Sequence, residues 1–353
     1  MKILHISPFA ELGGCEFNAL TIIEEIDAQH DVLLLNDGNG PFVDIWKKNG
    51  AQIANSNLLE KPFFAWKKAL VHQLKGNRYD IIIYWSHMHM PVVLSALAKF
   101  SNRILVHIGN PVIFGFKQKL LRSIQNALYS YDKTSVELRP VSQYVLQSST
   151  TTPAYKVLKS KVSFKPIVVD DFETQRDIEK GNVIGMMARM DTIKDFTTLI
   201  LAFAKLCETQ PHLELHLAGD GAERDNLEKL CFRLGIKNRV QFLGKVNDKK
   251  MFYQSIDIFV FSTSSKEGLA GVVGEALVCG LPTICSDLPM LREWDPDNLV
   301  IQWFEARNFD QLSDRLELTL ANFKLSKAKS LKQIPYFKNK FAPHTFAQNY
   351  IDA

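Results

Sequence analysis

Two glutamates, Glu267 and Glu275, bracket the small-residue run "EGLAGVVGE". Such a pair suits a polyhydroxylated, anionic ligand. Carboxylates accept hydrogen bonds from sugar and ribose hydroxyls, and small residues let backbone amides approach a phosphate. The preceding "DIFVFSTSSK" reads as a strand and a Ser/Thr loop, so the helix is expected to start near residues 268–271. Glu267 then lies in the loop and Glu275 on the second or third helical turn. Both would line a crevice at a strand's carboxyl end, where open α/β sheets bind ligands. Gly268, Leu269, Ala270 and Gly271 would present N–H groups at a helix N-terminus, a ready anion site. Phosphate on those amides, ribose on Glu275 and sugar on Glu267 accounts for both the spacing and the small residues.

Two further segments point the same way. In "GMMARMDTIKDF", Arg189 and Lys194 follow the end of a strand. A planar fork and a mobile point charge suit a diphosphate, the alternative being a surface loop with two solvated cations. In "LAGDGAERDNL" a strand ends at Gly219-Asp220-Gly221 and a helix begins over residues 222–226. Its glycines allow close backbone approach to a nucleotide, and the same tripeptide also makes an ordinary turn. His107 in "RILVHIGNP" falls at a strand end, and His87 and His89 in "WSHMHM" are expected at a cleft mouth. His-x-His without a nearby Asp, Glu or Cys is not read as a metal site. His212 and His216 alternate with leucines as on the polar side of a strand, and Asp295-Pro-Asp297 reads as a turn. No metal site and no cofactor are expected.

Elements must carry these residues. Short Ile/Val/Leu-rich runs alternate with amphipathic stretches along all 353 residues, the pattern of parallel sheets buried on both faces. The length suits two α/β domains of ~150–180 residues each. "KILHIS", "HDVLLL", "YDIIIYW", "NRILVHI" and "LRPVS" are the expected strands of the first. "VIGMMA", "LELHLAG", "VQFLG", "DIFVFS", "PTICS" and "LVIQW" are those of the second. Boundaries are placed at 1–168 and 178–335 with a linker at 169–177, and a helix at about 338–353 is expected to return to the first domain. Apolar residues make up 46% and charged ones 23%, which excludes a disordered chain, and no apolar run approaches the ~18 residues of a membrane span. The opening "MKILHISPFAELGG" is expected to enter a strand directly, without a signal segment. Five scattered cysteines suggest reduced thiols in the cytoplasm.

The second-half motifs resemble glycosyltransferase family 4, whose signature is E-x7-E with a Gly-rich start, preceded by an Arg/Lys pair five residues apart. Glu267 to Glu275 and Arg189 to Lys194 match both spacings, and "LHLAGDG", "VQFLGKV" and "EALVCGLPTICSDLPMLRE" follow the family's order. The resemblance is tight over residues 183–293 and loose over the first domain. It implies the GT-B fold, two doubly wound Rossmann-like domains facing a central cleft, and a retaining, metal-independent transfer from a nucleotide-diphosphate sugar. Arg189 and Lys194 would stabilise the departing diphosphate, Glu275 would bind ribose and Glu267 the donor sugar. The base would be gripped by backbone around Gly244 and Val246, with Gly219 beside the nucleotide. "FAELGGCE" resembles the family's glycine loop, so Gly13 and Gly14 would approach a phosphate or acceptor; the loop's usual cation is replaced by Glu11 and Glu16. His107 would stand near the transferred sugar.

The net charge of +4 hides an asymmetry: residues 61–165 hold sixteen Lys/Arg against Asp80, Asp132 and Glu137, leaving about −9 for the remainder. In "KPFFAWKKALVHQLKGNR" and "VIFGFKQKLLRS" the cations interleave with aromatics, as on a helix lying on anionic lipid. A solvated basic face over a core aromatic stripe is the alternative. No nucleic-acid motif is present. The expectation is therefore a hexosyltransferase using a UDP-sugar, or next a GDP-sugar. Its acceptor would be a glycan or lipid-linked glycan in cell-surface polysaccharide synthesis, and the enzyme would be cytoplasmic or peripheral on the inner membrane face. The alternatives are a nucleotide-sugar epimerase of the same fold and a catalytically silent nucleotide-sugar-binding subunit.

Overall fold

The computed structural model describes residues 1–11, 13–112, 115–167, 181–246, 248–264 and 267–352, so the expected linker at 169–177 lies outside the described residues. Two compact units share the chain: Met1–Pro166 with Pro343–Ala353, and Ile167–Ala342.

The first unit runs β1 (Lys2–Ser7), α1 (Gly14–Glu25), β2 (Gln29–Leu34), α2 (Phe42–Lys48), β3 (Gln52–Asn55), α3 (Phe63–Gln73), β4 (Ile81–Tyr84), α4 (Met90–Leu97), β5 (Ile104–Ile108), α5 (Phe116–Leu128), β6 (Val136–Pro140), α6 (Gln143–Thr150), α7 (Pro153–Lys156) and β7 (Lys159–Ser160). The second runs β8 (Val183–Met187), α8 (Phe196–Cys207), β9 (Glu214–Ala218), α9 (Arg224–Arg233), β10 (Val240–Gly244), α10 (Lys249–Ser255), β11 (Ile258–Phe261), α11 (Gly271–Val278), β12 (Thr283–Ser286), α12 (Pro289–Arg292), β13 (Gln302–Phe304), α13 (Phe309–Ala321) and α14 (Phe323–Lys340). Helix α15 (Pro343–Ile351) belongs to the first unit again.

Both sheets are parallel and doubly wound. Their orders are β3-β2-β1-β4-β5-β6-β7 and β10-β9-β8-β11-β12-β13. Each order reverses next to its first strand, between β1 and β4 and between β8 and β11, which creates a crevice at those strands' carboxyl ends. Central strands are buried on both faces, as "IIIY" of β4 and "ILVHI" of β5 are throughout. The sequence-expected strands form, and the sheets add β3 and β7, edge strands whose residues stay largely exposed and so carry no apolar run. Asp195, Asp248 and Asn308 cap the starts of α8, α10 and α13 with their side chains. Gly235 and Gly280, at φ 71° and 62°, stop α9 and α11.

The return to the first unit starts later than expected. Phe337 and Phe341 remain buried in the second unit, Phe341 against Trp294 with ring centroids 4.6 Å apart, so that unit extends to Ala342 rather than 335. Helix α15 then inserts Phe346, Ala347 and Tyr350 into the core formed by β1, α1 and β2. Its last turn is held by Arg139 of β6, which is fully buried. Nε donates to the Tyr350 carbonyl (2.9 Å), and Nη2 donates to the Asp352 carbonyl (3.1 Å) and to the Glu137 carboxylate (2.8 Å). A cation at a helix C-terminus answers carbonyls that have no partner within the helix. Removing the cation leaves those carbonyls unanswered and Glu137 with Arg103 alone (3.3 Å), so Arg139→Ala is expected to lower the first unit's stability by about 2–4 kcal/mol. Denaturant unfolding reads the loss, and hydrogen exchange should place the earliest opening at α15.

Candidate active site

The second sheet's switch point gathers most of the sequence-predicted residues. The loops after β8 and β11 are stitched together by backbone: Asp195 N–H donates to Ser262 O (3.1 Å) and Ser264 N–H to Ile193 O (3.0 Å). The hydroxyls of Ser262 and Thr263 donate to the carbonyls of Asp195 and Ile193 at 2.7 and 3.1 Å. On that frame Lys194 ion-pairs with Glu267, both side chains about six-sevenths buried, and Lys194 Nζ stands 5.0 Å from the centroid of the Phe261 ring. Arg189 takes a different partner. Its Nε donates to Asp191 (2.7 Å), and its side chain is 75% exposed. The other oxygen of Asp191 receives the amides of Ile193 (2.9 Å) and Lys194 (3.2 Å), shaping the loop. These hydrogen bonds from Arg189 and the two amides hold the Asp191 carboxyl below its ordinary range against partial burial, the largest single influence.

Glu275 lies on the second turn of α11, as the spacing suggests, and its carboxylate is gripped by two residues of α10. Lys249 Nζ lies 2.6 Å from Oε1, and the Tyr253 hydroxyl donates to Oε2 at 2.8 Å. Burial, then the charge of Glu275, pushes the Tyr253 phenol well above its usual value, so it stays a donor. Ahead of the helix, Gly268, Leu269 and Ala270 are buried, and Gly268 N–H donates to Glu267 Oε1 at 3.3 Å. Gly271 opens the helix. The small-residue run also serves packing, since a Cβ on Gly274 would come within 2.4 Å of both Ile167 and Trp294.

Glycines close the other side of this crevice. Gly219, at φ 124°, donates its N–H to Gly244 O (2.7 Å), and a Cβ there would fall 1.8 Å from Ala188 O. The backbones at the ends of β8, β9 and β10 therefore touch through a glycine. Gly244 is itself left-handed at φ 67°, and half-buried Val246 follows it. Asp295 is a turn, as read from the sequence, and a fully buried one whose carboxylate receives the amides of residues 299–301.

Gly13, Gly14 and His107 belong to the first unit. Gly13 caps α1, and the Glu16 carboxylate folds back to within 2.5 Å of where its Cβ would be. Burial, opposed by its own backbone amide and aided by Glu11, raises the Glu16 pKa. The loop does have a cation: Lys165 Nζ stands 3.2 Å from the Cβ position of Gly14. Nothing in the local sequence signals it, because Lys165 comes from beyond β7. His107 is buried in β5, with Nδ1 3.1 Å from the Tyr350 hydroxyl and its ring 5.1 Å from that of Trp85. His89 packs between the rings of Phe63 and Trp66 and meets Gln125 at 2.7 Å, because the loop after β4 turns onto α3 and α5. His212 precedes β9 and is exposed, leaving His216 as the strand residue. Among the described residues no cluster of three His, Cys, Asp or Glu could hold a metal ion.

Residues 169–333 match the family model described as glycosyl transferases group 1. The Rhizobium meliloti lipopolysaccharide core biosynthesis glycosyltransferase LpsE is 43% identical over 137 residues, 38% of this chain; the match spans only 39% of that protein's length. The N-acetylgalactosamine-N,N'-diacetylbacillosaminyl-diphospho-undecaprenol 4-alpha-N-acetylgalactosaminyltransferase of Campylobacter jejuni is 29% identical over 336 residues, 90% of this chain and 89% of that one. Among solved structures, Anabaena HepE in complex with UDP and glucose superposes with a TM-score of 0.77 at 18% identity, covering 99% of this chain and 97% of that one. The fold is thus α/β with two Rossmann-like units, as in GT-B glycosyltransferases.

Burial sets a pH dependence in the first unit. It lowers His107 to about 3, helped by Lys165 and His87, and lowers His87 to about 4, helped by Arg122, against an ordinary 6.5. Unfolded, both bind protons that the folded unit refuses, so stability is full above pH 6.5 and lost as pH falls toward the folded values. Each histidine should contribute up to about 1.4 kcal/mol per pH unit between roughly pH 6 and 4. Unfolding free energy measured across that window should fall with pH, and His107→Asn should flatten the slope by about one proton.

Proposed function

We propose that this chain is a retaining glycosyltransferase of the family 4 type that moves a hexose from a nucleotide-diphosphate sugar. A UDP-sugar is favoured and a GDP-sugar comes next. The acceptor is a glycan or lipid-linked glycan in cell-surface polysaccharide synthesis, reached from the cytoplasm at the inner membrane face. The observation that carries this reading is the Lys194–Glu267 pair at the second sheet's switch point, directly ahead of the N-terminus of α11. The UDP and glucose bound to HepE and the lipid-linked substrate in the name of the Campylobacter relative support donor and acceptor respectively.

In this reading the diphosphate lies against the amides of residues 268–271, where the helix offers N–H groups without acceptors of its own. Its charge competes with Glu267 for Lys194, and mobile Arg189 swings from Asp191 to the same phosphates. Glu267, released, turns to a hydroxyl of the donor sugar. Fixed cations then meet the charge that develops on the leaving diphosphate, the role for which preorganised electrostatics is best suited, with no metal invoked. Glu275 takes the ribose diol, since a carboxylate offers about four acceptor positions, more than Lys249 and Tyr253 use. Backbone at Gly219, Gly244 and Val246 accommodates the nucleoside. In the first unit Gly13 and Gly14, with Lys165 beside them, offer amides and one cation to a phosphate. His107, neutral and bonded to Tyr350, orients the end of β5 near the sugar.

Thermal unfolding with UDP, GDP, ADP and CMP tests the reading. At a hundred times its dissociation constant one nucleotide should stabilise by ~2.7 kcal/mol, and Lys194→Ala or Arg189→Ala should remove most of the shift. Silence across the panel would contradict it. Sugar inverted without any acceptor would favour the epimerase, and binding without turnover the silent subunit.

A further inference from the structure

Helix α5 is built inside out. Its buried residues are polar: Arg122, whose Nη1 donates to the His87 carbonyl (3.3 Å) and whose Nη2 bonds the Tyr155 hydroxyl, and Gln125, which meets His89. Four of its large apolar residues face solvent, Phe116 84% exposed, Leu120 55%, Ile124 44% and Leu128 67%, while Leu121 is half-buried. At ~100° per residue these four span an arc of about 120°, opposite Arg122 and Gln125. The result is an apolar ridge ~20 Å long, and an exposed apolar face of this kind commonly marks a protein or membrane contact. No such face exists on α3, the other basic aromatic segment. There Trp66 and Leu70 are core residues, the Trp66 indole donates to the Lys61 carbonyl, and Phe64 alone among its large apolar residues is strongly exposed.

We propose that the apolar ridge of α5 inserts into an anionic lipid surface. The charge around the helix selects this occupant. Lys117 and Lys119 on α5 are exposed, α5 itself carries no acid, and Lys67 lies 5.7 Å over the ring of Tyr129 at the helix's end. Cations flanking an apolar face suit anionic headgroups, with the lysine stems lying along the apolar boundary. A second copy brought ridge to ridge would set these cations against their own kind. The inward bonds of Arg122 and Gln125 clamp α5 to the loop after β4, so the helix is held on a rigid base while it inserts. This deepens the membrane-surface part of the proposed function, and it stands or falls separately from the donor chemistry.

Co-sedimentation of the full chain with phosphatidylcholine vesicles, with and without phosphatidylglycerol, tests it. The wild-type chain should pellet with the anionic vesicles and less so as salt rises. Leu120→Glu with Ile124→Glu should reduce that partition on the order of ten-fold or more. Both side chains point outward, so the variant's circular dichroism and unfolding midpoint should match the wild type. Lys117→Glu with Lys119→Glu should remove the salt-dependent part of the binding. The proposal is overturned if the wild type ignores anionic vesicles or if the double glutamate variant binds them equally well. It is also overturned if gel filtration shows a dimer that the variant dissociates, since the ridge would then be a self-contact.

Discussion

The ion pair between Lys194 and Glu267 joins the loops that leave β8 and β11, the two strands at which the second sheet reverses its order. Two opposite charges held largely out of water are stable together and costly apart, so whatever enters this crevice must replace one partner for the other. Around the pair the chain spends unusual detail on rigidity. Hydroxyls of Ser262 and Thr263 bridge the loops, Asp191 fixes the approach of Lys194, and Gly219 lets three strand ends touch. A diphosphate has the charge to take Lys194 and leaves Glu267 free to accept a hydroxyl, which is why a nucleotide sugar fits the proposed function better than a neutral ligand does.

The first unit depends on a different constraint, the docking of α15. Tyr350 is bonded to His107 through its hydroxyl and to Arg139 through its carbonyl, and it stacks near Trp85 at 5.3 Å. The carboxyl end of β5 is thereby shaped by residues from the far end of the chain. Burial that keeps His107 and His87 neutral gives this corner imidazoles rather than imidazolium cations, while Lys165 supplies a cation beside the glycine turn.

Much of the architecture was legible because buried parallel strands must be apolar on both faces, and "IIIY" or "VIGMM" can be little else. Edge strands β3 and β7 escape that rule, and so does the end of the second unit, where Phe341 is fixed by a distant Trp294. The site was legible in its residue types and spacing: Glu267 in a loop, Glu275 a turn and a half into its helix, Arg189 and Lys194 after one strand. Pairing was not. Within one loop Arg189 goes to Asp191 and Lys194 to Glu267, Glu275 is gripped from α10, and Lys165 reaches Gly14 from beyond β7. Each of these is a contact between segments whose approach only the fold determines. The inverted burial of α5 was equally hidden, since a wheel of apolar and basic residues does not say which side faces the core.

The most direct test of the account is a crystal structure of the chain with UDP bound. The account predicts the β-phosphate within hydrogen-bond distance of amides in residues 268–271 and of Lys194 Nζ, the ribose on Glu275, and Glu267 no longer paired with Lys194. A diphosphate bound elsewhere, or one seated there with the Lys194–Glu267 pair intact, would contradict it.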